Sequence, residues 1–204
     1  MRQGGPDQRP PRRILIIKPS SLGDVVHALP VLAAARDAWP GAHIAWLVNR
    51  AFAPLLAGVA ELDELIPFDR SGYGRMHRSV GMFTRFWQFV RELRGRRFDL
   101  VIDLQGLFRS GFIALGTGAG RRIGFADGRE FAPLFYTRRV VCPRGPVHAV
   151  DRNLRVAAAL GLPVDRPRFP LGLRPTELEE ARALVAEAAG QPLPRFLAVV
   201  PGAR

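Results

Sequence analysis

Apolar residues gather in short runs separated by polar turns, and the period of the runs changes along the chain. Residues 13–18, Arg-Ile-Leu-Ile-Ile-Lys, form an uninterrupted apolar run that ends at Pro19. A short run without alternation predicts a strand buried on both faces, as in parallel sheets. Residues 25–39 instead place Val25, Val26, Leu29, Leu32 and Ala33 at helical spacing, and Pro40-Gly41 stops the pattern. Further strands are predicted at 43–48, 65–68, 98–103, 122–125 and 139–142. Helices are predicted at 51–56, at 80–94, in the apolar stretch after Arg109, and at 148–160. Strands alternating with helices give an α/β fold, a Rossmann-like parallel sheet with helices on both faces.

The two ends break this rhythm. Residues 1–11 are Gly, Pro, Gln and Arg without periodicity and predict a disordered tail; residues 69–79 predict a mobile loop. Residues 12–160 are expected to form the first domain. Residues 161–175 carry four prolines, which is linker composition. Thr176-Glu-Leu-Glu179 has capping-box spacing and is expected to open a helix to about Ala189. A fresh buried strand at 196–200 and the turn Pro201-Gly-Ala-Arg204 follow, so 176–204 are expected to be the start of a truncated second domain.

Composition narrows the function. The 204 residues are 48% hydrophobic and 24% charged, as in a soluble globular protein. Cys142 is the one cysteine, which excludes a disulfide framework and a cysteine metal cluster. Apolar runs all fall short of the ~18 residues of a membrane span, and the start lacks a signal-peptide core. A reducing cytoplasm is therefore expected. The net charge is +12, and Lys18 is the only lysine among 30 cationic side chains. Such charge suits an anionic partner, and arginine forks match phosphate and carboxylate. Motifs for RNA recognition are unmatched, so no nucleic acid is expected. The 80–94 helix carries arginines beside its aromatic stripe, which fits anionic lipid or an ordinary core helix with a basic edge.

Two loops at strand ends hold the candidate chemistry. In the first, Lys18-Pro-Ser-Ser-Leu-Gly-Asp24, the small residues Ser20, Ser21 and Gly23 let backbone N–H groups approach an anion. It matches neither a P-loop nor a G-x-G-x-x-G fingerprint. Asp24 is either a general base for a substrate hydroxyl or a helix N-cap. His27 fits a packing role. In the second loop, Asp103-Leu-Gln-Gly-Leu-Phe-Arg109, the side chains of Gln105 and Arg109 either bind sugar hydroxyls and a phosphate or carboxylate, or form a turn with a solvated arginine at the helix start. The segment 124–139 mixes aromatics with arginines, among them Arg129 and Arg138.

Lys-Pro-Ser-Ser-Leu-Gly-Asp-Val-Val-His at 18–27, Val-Ile-Asp-Leu-Gln-Gly-Leu-Phe-Arg-Ser at 101–110, Pro-Leu-Phe-Tyr-x-Arg-Arg at 133–139 and His-Ala-Val-Asp-Arg at 148–152 occur in that order. Together they resemble glycosyltransferase family 9, and within it the lipopolysaccharide heptosyltransferase I branch. The resemblance implies a GT-B fold, with this chain as its N-terminal, acceptor-binding half and the start of the nucleotide-sugar domain. It implies transfer of heptose from ADP-heptose to Kdo-lipid A with inversion, with no cofactor and no metal, at the cytoplasmic face of the inner membrane. Asp24 falls on the family's catalytic aspartate. Lys18, Ser20, Ser21, Gly23, Gln105, Arg109, Arg129 and Arg138 are then the expected acceptor-binding residues. Lys18, Arg109 and Arg129 are expected to converge with Asp24 on one face at the sheet's carboxyl edge. The donor is expected to bind the missing domain, leaving this chain inactive alone. The competing expectation is a non-catalytic basic module that binds a polyanion or a membrane surface, which has no need of the Asp24 loop.

Overall fold

The computed structural model describes residues 9–68, 80–143, 145–173 and 175–189. The loop expected at 69–79 and the strand expected at 196–200 lie outside them. The chain forms two units, Met1–Leu171 and Gly172–Arg204.

The first unit is built on one six-stranded sheet: β1 (Arg13–Ile17), β2 (His43–Asn49), β3 (Glu64–Phe68), β4 (Leu100–Asp103), β5 (Arg121–Phe125) and β6 (Arg138–Val140). The order is β3-β2-β1-β4-β5-β6 and every neighbouring pair is parallel. This is the Rossmann-like α/β sheet that the apolar runs predict. Both faces are buried, and side chains alternate between them with the period of two that a strand imposes. Ile14, Ile16, Ile44, Trp46, Leu100 and Ile102 enter one apolar cluster. Leu15, Ile17, Ala45, Leu47 and Val101 enter the other.

Helices α1 (Leu22–Val26), α2 (Leu29–Ala38), α3 (Ala53–Leu56) and α6 (Ala149–Ala159) cover the first face. Helices α4 (Val80–Gly95) and α5 (Phe108–Gly116) cover the second. The chain runs β1, β2, β3 in one direction, then returns past β1 to β4, β5 and β6. Right-handed crossovers in opposite directions put their helices on opposite faces. The direction reverses between β1 and β4, which is where open α/β sheets hold ligands.

Local departures from the predicted elements have physical causes. The single helix expected over 25–39 divides at His27-Ala28. Pro30 lacks an N–H and would collide with the carbonyl of residue 26 in a continuous helix, so α1 closes on His27 and α2 opens with Pro30 in its first turn. The strand expected at 98–103 starts at Leu100, because the Asp99 carboxylate instead accepts from the N–H groups of Arg12 and Arg13 at 2.8 and 3.2 Å. Of the tail expected to be disordered, residues 9–11 are ordered: the Arg9 carbonyl accepts from Arg121 and Pro11 is buried. A 3₁₀ helix, Ala132–Phe135, occupies the aromatic-arginine segment. In the second unit, helix α7 (Pro175–Ala189) begins at Pro175, one residue before the expected cap Thr176; a first-turn proline gives up no helical hydrogen bond.

Candidate functional site

Lys18 leaves the carboxyl end of β1 at the switch point. Its N–H continues the ladder to the Leu47 carbonyl at 3.2 Å, and its own carbonyl accepts from Trp46 Nε1 at 3.2 Å. That fixed backbone aims the buried side chain across the gap, where Nζ donates to the Leu104 carbonyl at 3.1 Å. One ammonium thus joins the ends of β1 and β4. It lies 3.8 Å from Asp24 Oδ2. Burial pushes the Lys18 pKa down; the Asp24 and Asp103 carboxylates oppose that shift, and the Arg152 guanidinium adds to it.

Asp24 is not the N-cap of α1. Ser21 is, and Asp24 is the third helical residue. Its Oδ2 reaches back to accept from Ser21 N–H at 2.9 Å and from Ser21 Oγ at 3.3 Å. This is the carboxylate arm of a capping box. Both bonds and the Lys18 contact use Oδ2, and the side chain is half-exposed. A Cβ at Gly23 would meet nothing within 4 Å, so the turn is open above. His27 is a packing residue: its ring meets His148 edge-on at 5.4 Å, and its carbonyl accepts from Asn153 at 3.0 Å.

The β4 loop is organised by Asp103, which is fully buried. Its Oδ1 accepts from the N–H groups of Gln105 and Gly106 at 2.8 and 3.2 Å, and its Oδ2 from the Tyr136 hydroxyl at 2.7 Å. Burial raises the Asp103 pKa, against the pull of these donors. Burial and the adjacent carboxylate raise that of Tyr136. Gly106 turns with φ +69°, and its carbonyl accepts from Arg129 N–H at 2.8 Å. The loop after β5 is thereby tied to the loop after β4.

Between these loops lies a crevice of about 150 Å³. Its floor is Ile17, Leu47 and Phe68, and its polar wall is Ser20, Gln105, Arg109, Ser110 and Glu130. Among the described residues, buried Gln105 Oε1 has no hydrogen-bond partner, so it is an acceptor held ready for a ligand donor.

The expected convergence on one face is corrected. Asp24 and Lys18 stand on the α1 side of the switch point, while Arg109 lies in the first turn of α5, in the opposite layer. They flank the gap from its two sides, because the reversal of strand order sends the β1 and β4 loops to opposite faces. Arg129 is exposed on the β5 loop beside Gly106. Arg138 is exposed at the start of β6 and is not among the residues that line the crevice.

Residues outside the expected set also shape the edge. Arg152 on α6 binds Asp127 with two bonds of 2.9 and 2.8 Å and stacks 4.1 Å over the Phe125 ring. This pair and Tyr136–Asp103 join residues 25 and 33 apart in sequence, which no local spacing announces. Gly124 is the one local signal: a Cβ there would fall 2.5 Å from the Tyr136 ring. Among the described residues, no group of three or more His, Cys, Asp or Glu is placed to hold a metal, and no helix is long and apolar enough to cross a membrane.

Comparison with known proteins places the chain among related sequences and folds. The chain is 29% identical over 165 residues to lipopolysaccharide core heptosyltransferase OpsX of Haemophilus influenzae, covering 80% of this chain and 44% of that one. It is 33% identical over 159 residues to lipopolysaccharide heptosyltransferase 1 of Salmonella typhimurium, covering 76% and 50%. The solved structure of E. coli heptosyltransferase WaaC with ADP-2-deoxy-2-fluoro heptose matches with a TM-score of 0.67 and 32% identity, over 77% of this chain and 51% of that one. The chain thus spans about half the length of the relatives it matches. The model of glycosyltransferase family 9 (heptosyltransferase) matches residues 86–204. The chain belongs to glycosyltransferase family 9.

Proposed function

We propose that this chain is the N-terminal, acceptor-binding half of a GT-B heptosyltransferase, working with ADP-heptose and a Kdo-lipid A acceptor at the cytoplasmic face of the inner membrane. The relatives' names supply the reaction class. The observation that carries the residue assignment is Asp24, paired with Lys18 at the switch point and held through Oδ2 by Ser21, whose neighbour Ser20 lines the crevice.

In this reading the acceptor hydroxyl lies between Asp24 and the anomeric carbon of the donor. Its oxygen attacks that carbon from the face opposite ADP. The new C–O bond forms, the bond to the diphosphate oxygen breaks, and ADP leaves with the electron pair. The Asp24 carboxylate takes the hydroxyl proton. The Lys18 ammonium stands 3.8 Å from that carboxylate, where it can pair with it. Gln105 and Ser20 bind acceptor hydroxyls, and Arg109 and Arg129 bind acceptor carboxylate or phosphate. In this reading the sheet and loops of residues 13–160 hold the acceptor and not the donor.

The test is turnover of the full-length protein with Asp24→Asn and Asp24→Ala. Asn keeps an oxygen for the Ser21 N–H and removes the base; Ala removes both. Both variants should lose roughly 10²–10⁴-fold in turnover, the usual worth of a general base. Near-normal turnover in Asp24→Asn would reduce Asp24 to a helix-capping residue and overturn the assignment.

A further inference from the structure

Helix α5 begins with two adjacent residues that face different surroundings. Arg109 lines the crevice. Phe108, beside it, is 47% exposed. The same division occurs on the β5 loop, where Glu130 lines the crevice and Phe131 is 76% exposed. Glu130 and Phe131 both take left-handed backbone conformations, with φ of 55° and 64°. Glycine or asparagine adopts that conformation more readily than phenylalanine. Neither burial nor backbone geometry therefore accounts for an aromatic ring at 131.

The exposed rings are not scattered. Phe108 stacks on Phe112 at 6.0 Å and meets Phe135 edge-on at 5.3 Å, and Phe112 meets Trp87 of α4 at 5.9 Å. Trp87 is 43% exposed, and Leu134 of the 3₁₀ helix is 68% exposed. A connected aromatic cluster of Trp87, Phe108, Phe112 and Phe135 thus joins α4, α5 and the 3₁₀ helix, and the exposed Leu134 and Phe131 lie one and four residues before Phe135 in the chain. Scattered single apolar residues on a surface carry no meaning, but a connected patch does. Arg85, Arg91, Arg94, Arg109 and Arg129 stand on the same elements, with Glu92, Asp127 and Glu130 as acids, and Asp127 is already paired with Arg152. On α4, Arg91 follows Trp87 by four residues and so shares its stripe.

We propose that this aromatic-arginine surface docks on an anionic lipid bilayer, with Phe108, Phe131, Leu134 and Trp87 entering the interface and the arginines meeting lipid phosphates. Three features argue for lipid as the occupant. Tryptophan and phenylalanine beside arginine are the composition of interfacial membrane binders. The excess of arginine complements an anionic surface. The patch is also continuous with the crevice through residues 108–109 and 130–131, so a lipid-borne headgroup would reach the crevice while its chains stayed in the bilayer. The purpose of the surface rests on the glycolipid-acceptor reading above; its test does not.

The experiment is cosedimentation of the 204-residue chain with vesicles of phosphatidylethanolamine and phosphatidylglycerol, against vesicles of phosphatidylcholine alone. Neither contains a sugar acceptor, so failure here leaves the transferase reading standing. Binding to the anionic vesicles should weaken with salt. Phe131→Asn with Leu134→Ser replaces two exposed side chains and suits the left-handed position at 131, so circular dichroism should stay unchanged while vesicle affinity falls roughly tenfold. Arg91→Glu should lower it independently. Wild-type affinity in the double variant would show a charge attraction without insertion and overturn the proposal. So would the absence of vesicle binding, or a dimer in sedimentation equilibrium that the same double variant dissolves, since a second copy would then be the occupant.

Discussion

At the end of β4, the Tyr136 hydroxyl donates to the Asp103 carboxylate at 2.7 Å, and both residues are buried. Removing the hydroxyl in Tyr136→Phe leaves a buried carboxylate with one donor fewer, at a cost of about 1.5–3 kcal/mol for a hydrogen bond to a charged group. The cost depends on pH with a definite sign. The Asp103 pKa is raised in the folded state, so the folded chain holds that proton more tightly than the unfolded chain. The residue's contribution therefore falls as pH rises from the unfolded carboxyl value, about 3.9, through the folded one. Loss of Tyr136 widens the gap. Urea unfolding at pH 7 and at mildly acid pH should show the larger deficit at pH 7; equal deficits would mean that Tyr136 matters only as packing.

Gly124→Ala should mimic that loss from the other side of the ring. The added Cβ would stand 2.5 Å from Tyr136 ring atoms, so the ring must shift and its hydroxyl must leave Asp103. Overpacking of this kind costs about 1–3 kcal/mol. The double variant with Tyr136→Phe should cost less than the two single losses added, since they share one bond. Full additivity in denaturant midpoints would separate Gly124 from the Asp103 hydrogen bond.

The Asp127–Arg152 pair predicts the opposite pH behaviour. Its bidentate bond with Arg152 holds the Asp127 pKa below the ordinary carboxylate value, against the effect of burial. That stability is present above the unfolded value and is lost as pH falls through the folded one. The pair is largely exposed, so a double-mutant cycle of Asp127→Asn and Arg152→Gln should give only about 0.2–1 kcal/mol of coupling. Coupling at neutral pH that persists unchanged in acid strong enough to protonate Asp127 would refute a charge pair.

What the chain revealed in advance follows from the range of the interactions. Strands β1 and β2 are legible because Ile14 to Ile17 and Ile44 to Val48 are buried on both faces, and burial on both faces writes an apolar run. Asp24, Gln105 and Arg109 are legible because each sits in a strand-to-helix loop whose residue types are local. The partition of that set was not, since it depends on β4 joining the sheet beside β1 and not beside β3. Tyr136 and Arg152 depend on the same pairing. The exposed ring at 131 is visible as a residue, but its exposure comes from a left-handed turn next to the 3₁₀ helix.

The arginines can be sorted by one binding experiment. Arg109 lines the crevice and Arg129 is fixed beside Gly106, whereas Arg138 stands exposed at the amino end of β6. A short, lipid-free Kdo-containing sugar offers carboxylates to the crevice without engaging the apolar patch. Arg109→Gln and Arg129→Gln should each weaken its binding by about tenfold, the scale of one charge-assisted hydrogen bond. The loss should shrink as salt rises, because salt screens the wild-type attraction as well. Arg138→Gln should leave the affinity within twofold, because Arg138 is not among the residues that line the crevice. Isothermal titration at two salt concentrations reads all three. Equal losses from Arg109, Arg129 and Arg138 would mean that the sugar follows the overall positive charge and that the crevice does not select it.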